Sequence, residues 1–258
     1  MLKEILTRLQ QGKRTMKFPK GPSPVLPDRF RGLPVISREK CNPSCRACSS
    51  SCPVGAIDPV AKTIDLGKCL FCTDCTQICP TGAIMFTGDY RLATRKKEHL
   101  LLRSGQKELE LAAELDRKMK RIFGRSLKLR VVSAGGCGAC EADVNVLNTI
   151  GWDLGRFGIS YVASPRHADG ILVTGPVSKN MELALQKTWD AVPEPKIVIA
   201  VGACAIAGGP YAGHSQVLGG VDCMIPVDLF IPGCPPHPLT ILDGLLRLMG
   251  KLEKKINQ

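Results

Sequence analysis

Three cysteine-bearing turns, each placed where an apolar run stops, limit what this chain can fold into. Gly135-Gly136-Cys137-Gly138-Ala139-Cys140-Glu141 follows the apolar run 127–132. Cys204 sits in Val201-Gly202-Ala203-Cys204-Ala205, and Cys234 in Ile231-Pro232-Gly233-Cys234-Pro235-Pro236. Runs 127–132, 159–163, 170–174, 197–201 and 229–231 read as strands, and 141–150, 179–191 and 238–252 as helices. Such alternation predicts an α/β domain, a parallel sheet with helices on both faces. Sites in these sheets lie beyond the carboxyl ends of the strands. Cys137, Cys140, Cys204 and Cys234 all fall there, so four thiolates are expected to converge at one sheet edge. The glycines around them leave backbone amides open to the sulfurs.

Residues 41–80 are an internal repeat. Cys69-x2-Cys72-x2-Cys75-x3-Cys79-Pro80 matches the bacterial ferredoxin run in every gap, and Cys41-x3-Cys45-x2-Cys48-x3-Cys52-Pro53 has one extra residue in its first gap. Each half continues alike, with Pro-Val-Gly-Ala-Ile and Pro-Thr-Gly-Ala-Ile. An α+β ferredoxin-like 2[4Fe-4S] module with a pseudo-twofold is therefore expected. Two-residue gaps turn successive thiolates inward on a tight loop, and in two-cluster ferredoxins the fourth cysteine of each run serves the other cluster. One cluster would then take Cys69, Cys72, Cys75 and Cys52, the other Cys41, Cys45, Cys48 and Cys79. The extra residue puts Cys41 in question, and without it that cluster would be a three-iron form. Structural zinc is the rival, but the third close cysteine and the Cys-Pro tail of each half are surplus to it.

The 258-residue chain holds thirteen cysteines, and residues 1–12 show no apolar export segment, so clustered metal ligands fit better than disulfides. Cys223 lies outside every motif and reads as a small buried residue. No run reads as a membrane span. Net charge is +12, concentrated in residues 1–40 (ten basic, three acidic) and 91–130 (thirteen basic, five acidic). That bias suits solvated surface, an acidic partner subunit or anionic lipid. It argues against nucleic acid, since few aromatics are interleaved for base stacking.

Residues 1–35 read as a short helix, with Leu2, Ile5, Leu6 and Leu9 on one face, and a Pro-rich arm. Too short to be stable alone, the helix must pack on this chain's core or on a partner. Residues 36–90 form the two-cluster domain and 91–126 a linking helix with Ala112, Leu115, Met119 and Ile122 at helical spacing. In that helix Glu114 and Asp116 each stand four residues before a lysine, and Gly124 is the stop. Residues 127–258 form the sheet domain.

The segment from about Val131 to Leu252 resembles the small, proximal-cluster subunit of membrane-bound group 4 [NiFe]-hydrogenases, itself similar to the B subunit of NADH:quinone oxidoreductase. The resemblance rests on Cys137-Gly-Ala-Cys140-Glu141, Ser164-Pro-Arg-His-Ala-Asp169, Pro193-Glu-Pro-Lys196, Gly202-Ala-Cys204, Pro226-Val-Asp228 and Pro232-Gly-Cys-Pro-Pro236. The N-terminal third resembles the ferredoxin-like subunit of the same complexes, including the first helix, the arm with Phe30-Arg31-Gly32 and the double cysteine run. The first two cysteines are separated by two residues, as in the hydrogenase branch, where the quinone-reductase branch has them adjacent.

The resemblance implies a flavodoxin-like C-terminal domain and a [4Fe-4S] cluster on Cys137, Cys140, Cys204 and Cys234, three clusters in all. It further implies an oxidoreductase subunit that relays electrons between a redox partner and a Ni-Fe large subunit on another chain, with no catalytic residue of its own. Other soluble and membrane subunits, and a soluble electron carrier or dehydrogenase module, are the expected partners, on the cytoplasmic face of the membrane. The alternative is a nickel-free quinone- or sulfur-reducing relative, and a non-catalytic zinc scaffold is a third. Glu141 is either a proton-handling group or a first-turn acid that suits the helix dipole. Arg166 and His167 are candidate partner or proton contacts.

Overall fold

The computed structural model describes residues 2–22, 24–42, 44–106 and 108–252. The first helix, α1 (Leu2–Gln11), buries none of its residues, and Leu2, Ile5, Leu6 and Leu9 are 51–78% exposed. Packing into this chain's own core is therefore not how its apolar face is used. The arm that follows lies along the C-terminal half. Met16 N–H donates to the Gly151 carbonyl at 3.0 Å, Arg156 donates to the carbonyls of Met16 and Phe18, and buried Phe18 meets Tyr90 edge to face.

The cysteine repeat becomes two strand–helix–strand units. The first is β1 (Pro34–Ile36), α2 (Ala47–Ser50) and β2 (Ile57–Asp58), and the second is β3 (Thr63–Asp65), α3 (Asp74–Ile78) and β4 (Ile84–Phe86). Outer strands β1 and β4 pair antiparallel, inner strands β2 and β3 do the same, and α2 packs on α3. Strand β1 starts at Pro34, inside the stretch that reads as arm.

The linking segment departs from the expected single helix. Strand β5 (Leu101–Arg103) joins β3 as the third strand of the small sheet, and only α4 (Arg117–Phe123) is α-helical. Ala112 and Leu115 are buried, yet their N–H groups donate to the carbonyls of Ala93 and Leu248. Backbone partners from distant segments satisfy them, which removes the reason to coil. Asp116 caps α4 by accepting from Met119 N–H at 2.9 Å, and Glu114 pairs with Lys120, six residues on, at 2.7 Å. Gly124 ends the helix as expected.

The C-terminal domain is a five-stranded, wholly parallel sheet of β6 (Leu127–Ser133), β7 (Ile159–Tyr161), β8 (Gly170–Thr174), β9 (Ile197–Val201) and β10 (Leu229–Ile231), in the order β7-β6-β8-β9-β10. Counted within the domain this is 2-1-3-4-5, a doubly wound order. Helices α5 (Ala139–Val146), α6 (Lys179–Ala191), α7 (Ala203–Ala207) and α8 (Pro238–Leu248) complete it. Strands β8, β9 and β10 are buried along their whole length, which is why each reads as a continuous apolar run. Beyond β10, Thr94 exchanges two backbone hydrogen bonds with Phe230 and covers part of the free edge.

Alternate residues of these strands enter two cores. Leu172, Ile197, Ile199, Leu229 and Ile231 share one core with Leu242 and Leu245 of α8. Ile171, Val173, Val198, Ala200 and Phe230 share one core with Leu33, Ile64, Leu66 and Phe71 of the N-terminal units. The cysteine-rich part is thus packed onto the sheet domain rather than tethered to it.

Candidate metal centres

The twelve motif cysteines gather in three groups of four. Cys41, Cys45, Cys48 and Cys79 line one cavity of about 140 Å³, walled by Ile36, Ile57 and Ile84. Cys52, Cys69, Cys72 and Cys75 line a second, tighter one. Each takes its fourth cysteine from the other repeat, because α2 and α3 lie side by side. The Pro-x-Gly-Ala phrase after each run has a local purpose. Gly55 and Gly82 turn the chain with φ of +57° and +59°, so that Ala56 N–H donates to Cys52 Sγ at 3.3 Å and Ala83 N–H to Cys79 Sγ at 3.2 Å. A residue with a side chain adopts that backbone at a cost.

The third group assembles at the carboxyl edge of the large sheet. Cys137 and Cys140 follow β6, Cys204 lies in α7 just after β9, and Cys234 follows β10. The last two loops are fastened by Gly202 N–H on the Ile231 carbonyl and Ala203 N–H on the Gly233 carbonyl, both at 2.8 Å. A Cβ on Gly202 would stand 2.6 Å from Cys140 Sγ, and one on Gly209 the same distance from Cys204 Sγ. Cys137 and Cys234 are exposed, whereas Cys140 and Cys204 are half-buried.

Electrostatics within the groups follows from burial and crowding. Burial, then the neighbouring Cys75, Cys52 and Cys72, pushes the Cys69 thiol up to about 12 despite the Phe71 N–H on its sulfur. Cys75 is pushed up to about 11, chiefly by burial. Burial and then Cys41, among others, raise Cys48. Burial also raises Cys140, with help from Cys204, Glu141, Cys234 and Cys137, and takes Cys204 to about 11. Cys79 goes the other way. Burial works to raise it, but the donors of Ala83 and Thr81 prevail. Thiols held protonated in this way give up their protons to a metal.

These donor sets suit iron–sulfur chemistry. Thiolates are soft ligands, and four of them serve one cubane. Among the described residues no three His, Cys, Asp or Glu side chains are gathered closely enough to hold a single metal ion. Glycines bare at two sulfurs and amide donors on others are what a bulky anionic cluster needs around it.

The remaining candidates divide. Glu141 stands in the first turn of α5 and accepts from Thr174 Oγ1 at 2.6 Å. Burial works to raise its carboxyl, but the Ser133 and Thr174 hydroxyls outweigh it and hold it low. Arg166 and His167 are exposed on a short turn after β7, and the groups acting on Cys204 and Cys234 do not include them. Cys223 is exposed rather than buried, because it ends a turn on the surface. Two features escape sequence reading. Burial, then Cys137 and then Cys72 raise the Cys234 thiol, so the second and third groups are neighbours, and Arg31 donates to the carbonyls of Phe71 and Cys72. No local signal announces contacts between residues 40 and more than 160 positions apart.

Comparison with known proteins bears on what these groups are for. Residues 137–248 match the family described as NADH ubiquinone oxidoreductase, 20 Kd subunit, and residues 62–85 match the 4Fe-4S binding domain. An uncharacterized protein of Methanocaldococcus jannaschii is 44% identical over 135 residues, 52% of this chain and 90% of that protein. A probable membrane-bound hydrogenase subunit of Pyrococcus furiosus is 40% identical over 136 residues, 53% of this chain and 81% of that protein. The chain belongs to the 20 Kd subunit family of NADH ubiquinone oxidoreductase. Formate hydrogenlyase subunit 7 of Escherichia coli, another relative, is 42% identical over 148 residues, and the match spans 57% of this chain and 58% of that protein. A chain in the structure of the membrane-bound sulfane sulfur reductase, an archaeal respiratory membrane complex, is 34% identical with a TM-score of 0.47, covering 55% of this chain and 78% of that one. As a member of the 20 Kd subunit family with a 4Fe-4S segment, the protein is an iron–sulfur electron-transfer subunit of the class shared by hydrogenases and NADH:quinone oxidoreductase-like complexes.

Proposed function

We propose that this chain is the electron-relay subunit of a membrane-associated multisubunit [NiFe]-hydrogenase. In this reading it holds three [4Fe-4S] clusters, on Cys41/Cys45/Cys48/Cys79, on Cys52/Cys69/Cys72/Cys75 and on Cys137/Cys140/Cys204/Cys234. The observation that carries it is the gathering of the twelve thiols into three groups of four, the second beside the third. When bound, such clusters pass single electrons. The chain's own residues hold them in sequence, bury them and donate amides to their sulfurs.

The third group is the one that faces a Ni-Fe large subunit, because exposed Cys137 and Cys234 open it to a partner surface. The first group is the inlet or outlet for a soluble carrier or dehydrogenase module. Among the described residues no helix is long and apolar enough to cross a membrane, so attachment would come through other subunits. The bare apolar face of α1 supports docking of that kind.

The test is anaerobic purification with associated subunits, followed by iron and nickel analysis. About four irons per cubane are expected, about twelve per chain. Cys234→Ala should remove about four of them, abolish relay and leave the N-terminal groups loaded. Unchanged iron and turnover in that variant would defeat the assignment of the third group. A large subunit without two Cys-x-x-Cys pairs would instead favour the nickel-free, quinone- or sulfur-reducing relative.

A further inference from the structure

The Phe30-Arg31-Gly32 tripeptide sits where the second and third thiol groups meet. Gly32 fixes its position. The Gly32 N–H donates to the Thr87 carbonyl at 2.8 Å, and a Cβ there would come within 2.2 Å of the Asp89 carbonyl oxygen, so the backbone is pressed against the segment that leaves β4. From that anchor the two preceding side chains reach in different directions. Arg31 Nη1 donates to the carbonyls of Phe71 at 2.8 Å and Cys72 at 3.2 Å, in the loop that carries the second group. Phe30 packs edge to face on His237, with ring centroids 5.3 Å apart, and Trp152 packs on the same imidazole from 6.0 Å. His237 is three residues beyond Cys234 and accepts from Leu239 N–H at 3.1 Å, so it is fixed as the cap of α8.

The second and third groups meet at another point as well. A Cβ on Gly67, two residues before Cys69, would lie 2.9 Å from Cγ2 of Ile206, two residues after Cys204. Phe30 and Arg31 thus form one joint between the second and third groups, and the Gly67–Ile206 contact forms another.

We propose that Phe30 and Arg31 are positioning residues for the relay. They hold the Cys72 loop and the Cys234 loop at a set separation, and Arg31 adds a permanent positive charge beside the second thiol group. The inference rests on the three-cluster reading above. Electron transfer between neighbouring centres falls steeply as their separation grows, so a clamp across the gap governs the rate. A guanidinium next to a cluster also favours the state with one more electron, since outer hydrogen bonds and local charge set cluster potentials.

The test compares anaerobically purified full-length wild type with Arg31→Gln, Arg31→Lys and Phe30→Ala, by iron content, redox titration followed by low-temperature paramagnetic resonance, and the magnetic interaction between reduced centres. Iron content should stay at the wild-type level. Arg31→Gln should move the midpoint of one centre to more negative potential and weaken its interaction with a neighbour. Arg31→Lys, which keeps the charge but not the planar donor, should spare the midpoint and still weaken the interaction. Phe30→Ala should do the same, and transfer through the chain should slow about 10–100-fold in the clamp variants. Wild-type midpoints and wild-type magnetic interaction in Arg31→Gln and Phe30→Ala would overturn the proposal. If Arg31→Gln fails to retain iron, Arg31→Lys decides on the same readout. Wild-type protein that lacks about twelve irons would defeat the three-cluster reading itself, before any variant is compared.

Discussion

Gly202 and Gly209 have no room for even a methyl group, because each is pressed against the sulfur of a thiol in the third group. Gly202→Ala or Gly209→Ala should therefore displace Cys140 or Cys204 and cost about four irons, with the N-terminal groups unaffected. Full iron content in both variants would show that the loops yield without loss. His237 makes a different prediction. Burial holds its imidazole below the ordinary 6.5, so near that pH the unfolded chain takes up a proton that the folded chain refuses. The stability it contributes is complete above pH 6.5 and is lost as pH falls through the lowered folded value. His237→Asn keeps a capping acceptor and removes the proton. The difference in urea midpoint between variant and wild type should be level above pH 6.5 and turn in the variant's favour below it. A difference that does not change with pH would mean that His237 titrates alike in both states.

At the scale of elements, legibility depended on where each segment finds its hydrogen bonds. β8 and β9 were readable to the residue, because strands buried on both faces must be apolar throughout. The linking segment misled because Ala112 and Leu115 are three apart and apolar, which is helical spacing, while their N–H groups are taken by Ala93 and Leu248. Only from Asp116 onward does local chemistry prevail, through its cap on Met119. Asp116→Ala should cost about 0.5–2 kcal/mol in a urea titration, and a smaller loss would mean that tertiary packing alone holds α4. Helix α5 ends at Val146, short of residue 150, and α8 at Leu248, short of residue 252, since chain ends carry little periodic signal.

The two halves of the molecule share a core in which Ile64, Leu66 and Phe71 meet Ile171, Val173 and Ile206. They should therefore unfold as one unit, with tertiary signal and iron–sulfur absorption lost in a single transition. Ile206→Ala, which empties the joint beside Gly67, should cost about 2–5 kcal/mol and shift that whole transition. Two separated transitions in the wild type would contradict a common core. Taken by itself, the sequence determined the five strands, the doubled cysteine unit and the placing of four further thiols at strand ends. Each of those is written in short-range spacing, which backbone geometry converts directly into direction. Tertiary structure alone decided that the two units are pressed together, that Cys72 lies beside Cys234, that Arg31 and Phe30 bridge them, and that the apolar face of α1 stays bare. Such contacts join residues far apart in the chain, and they form because surfaces built by different segments exclude water together, a property that no local pattern encodes.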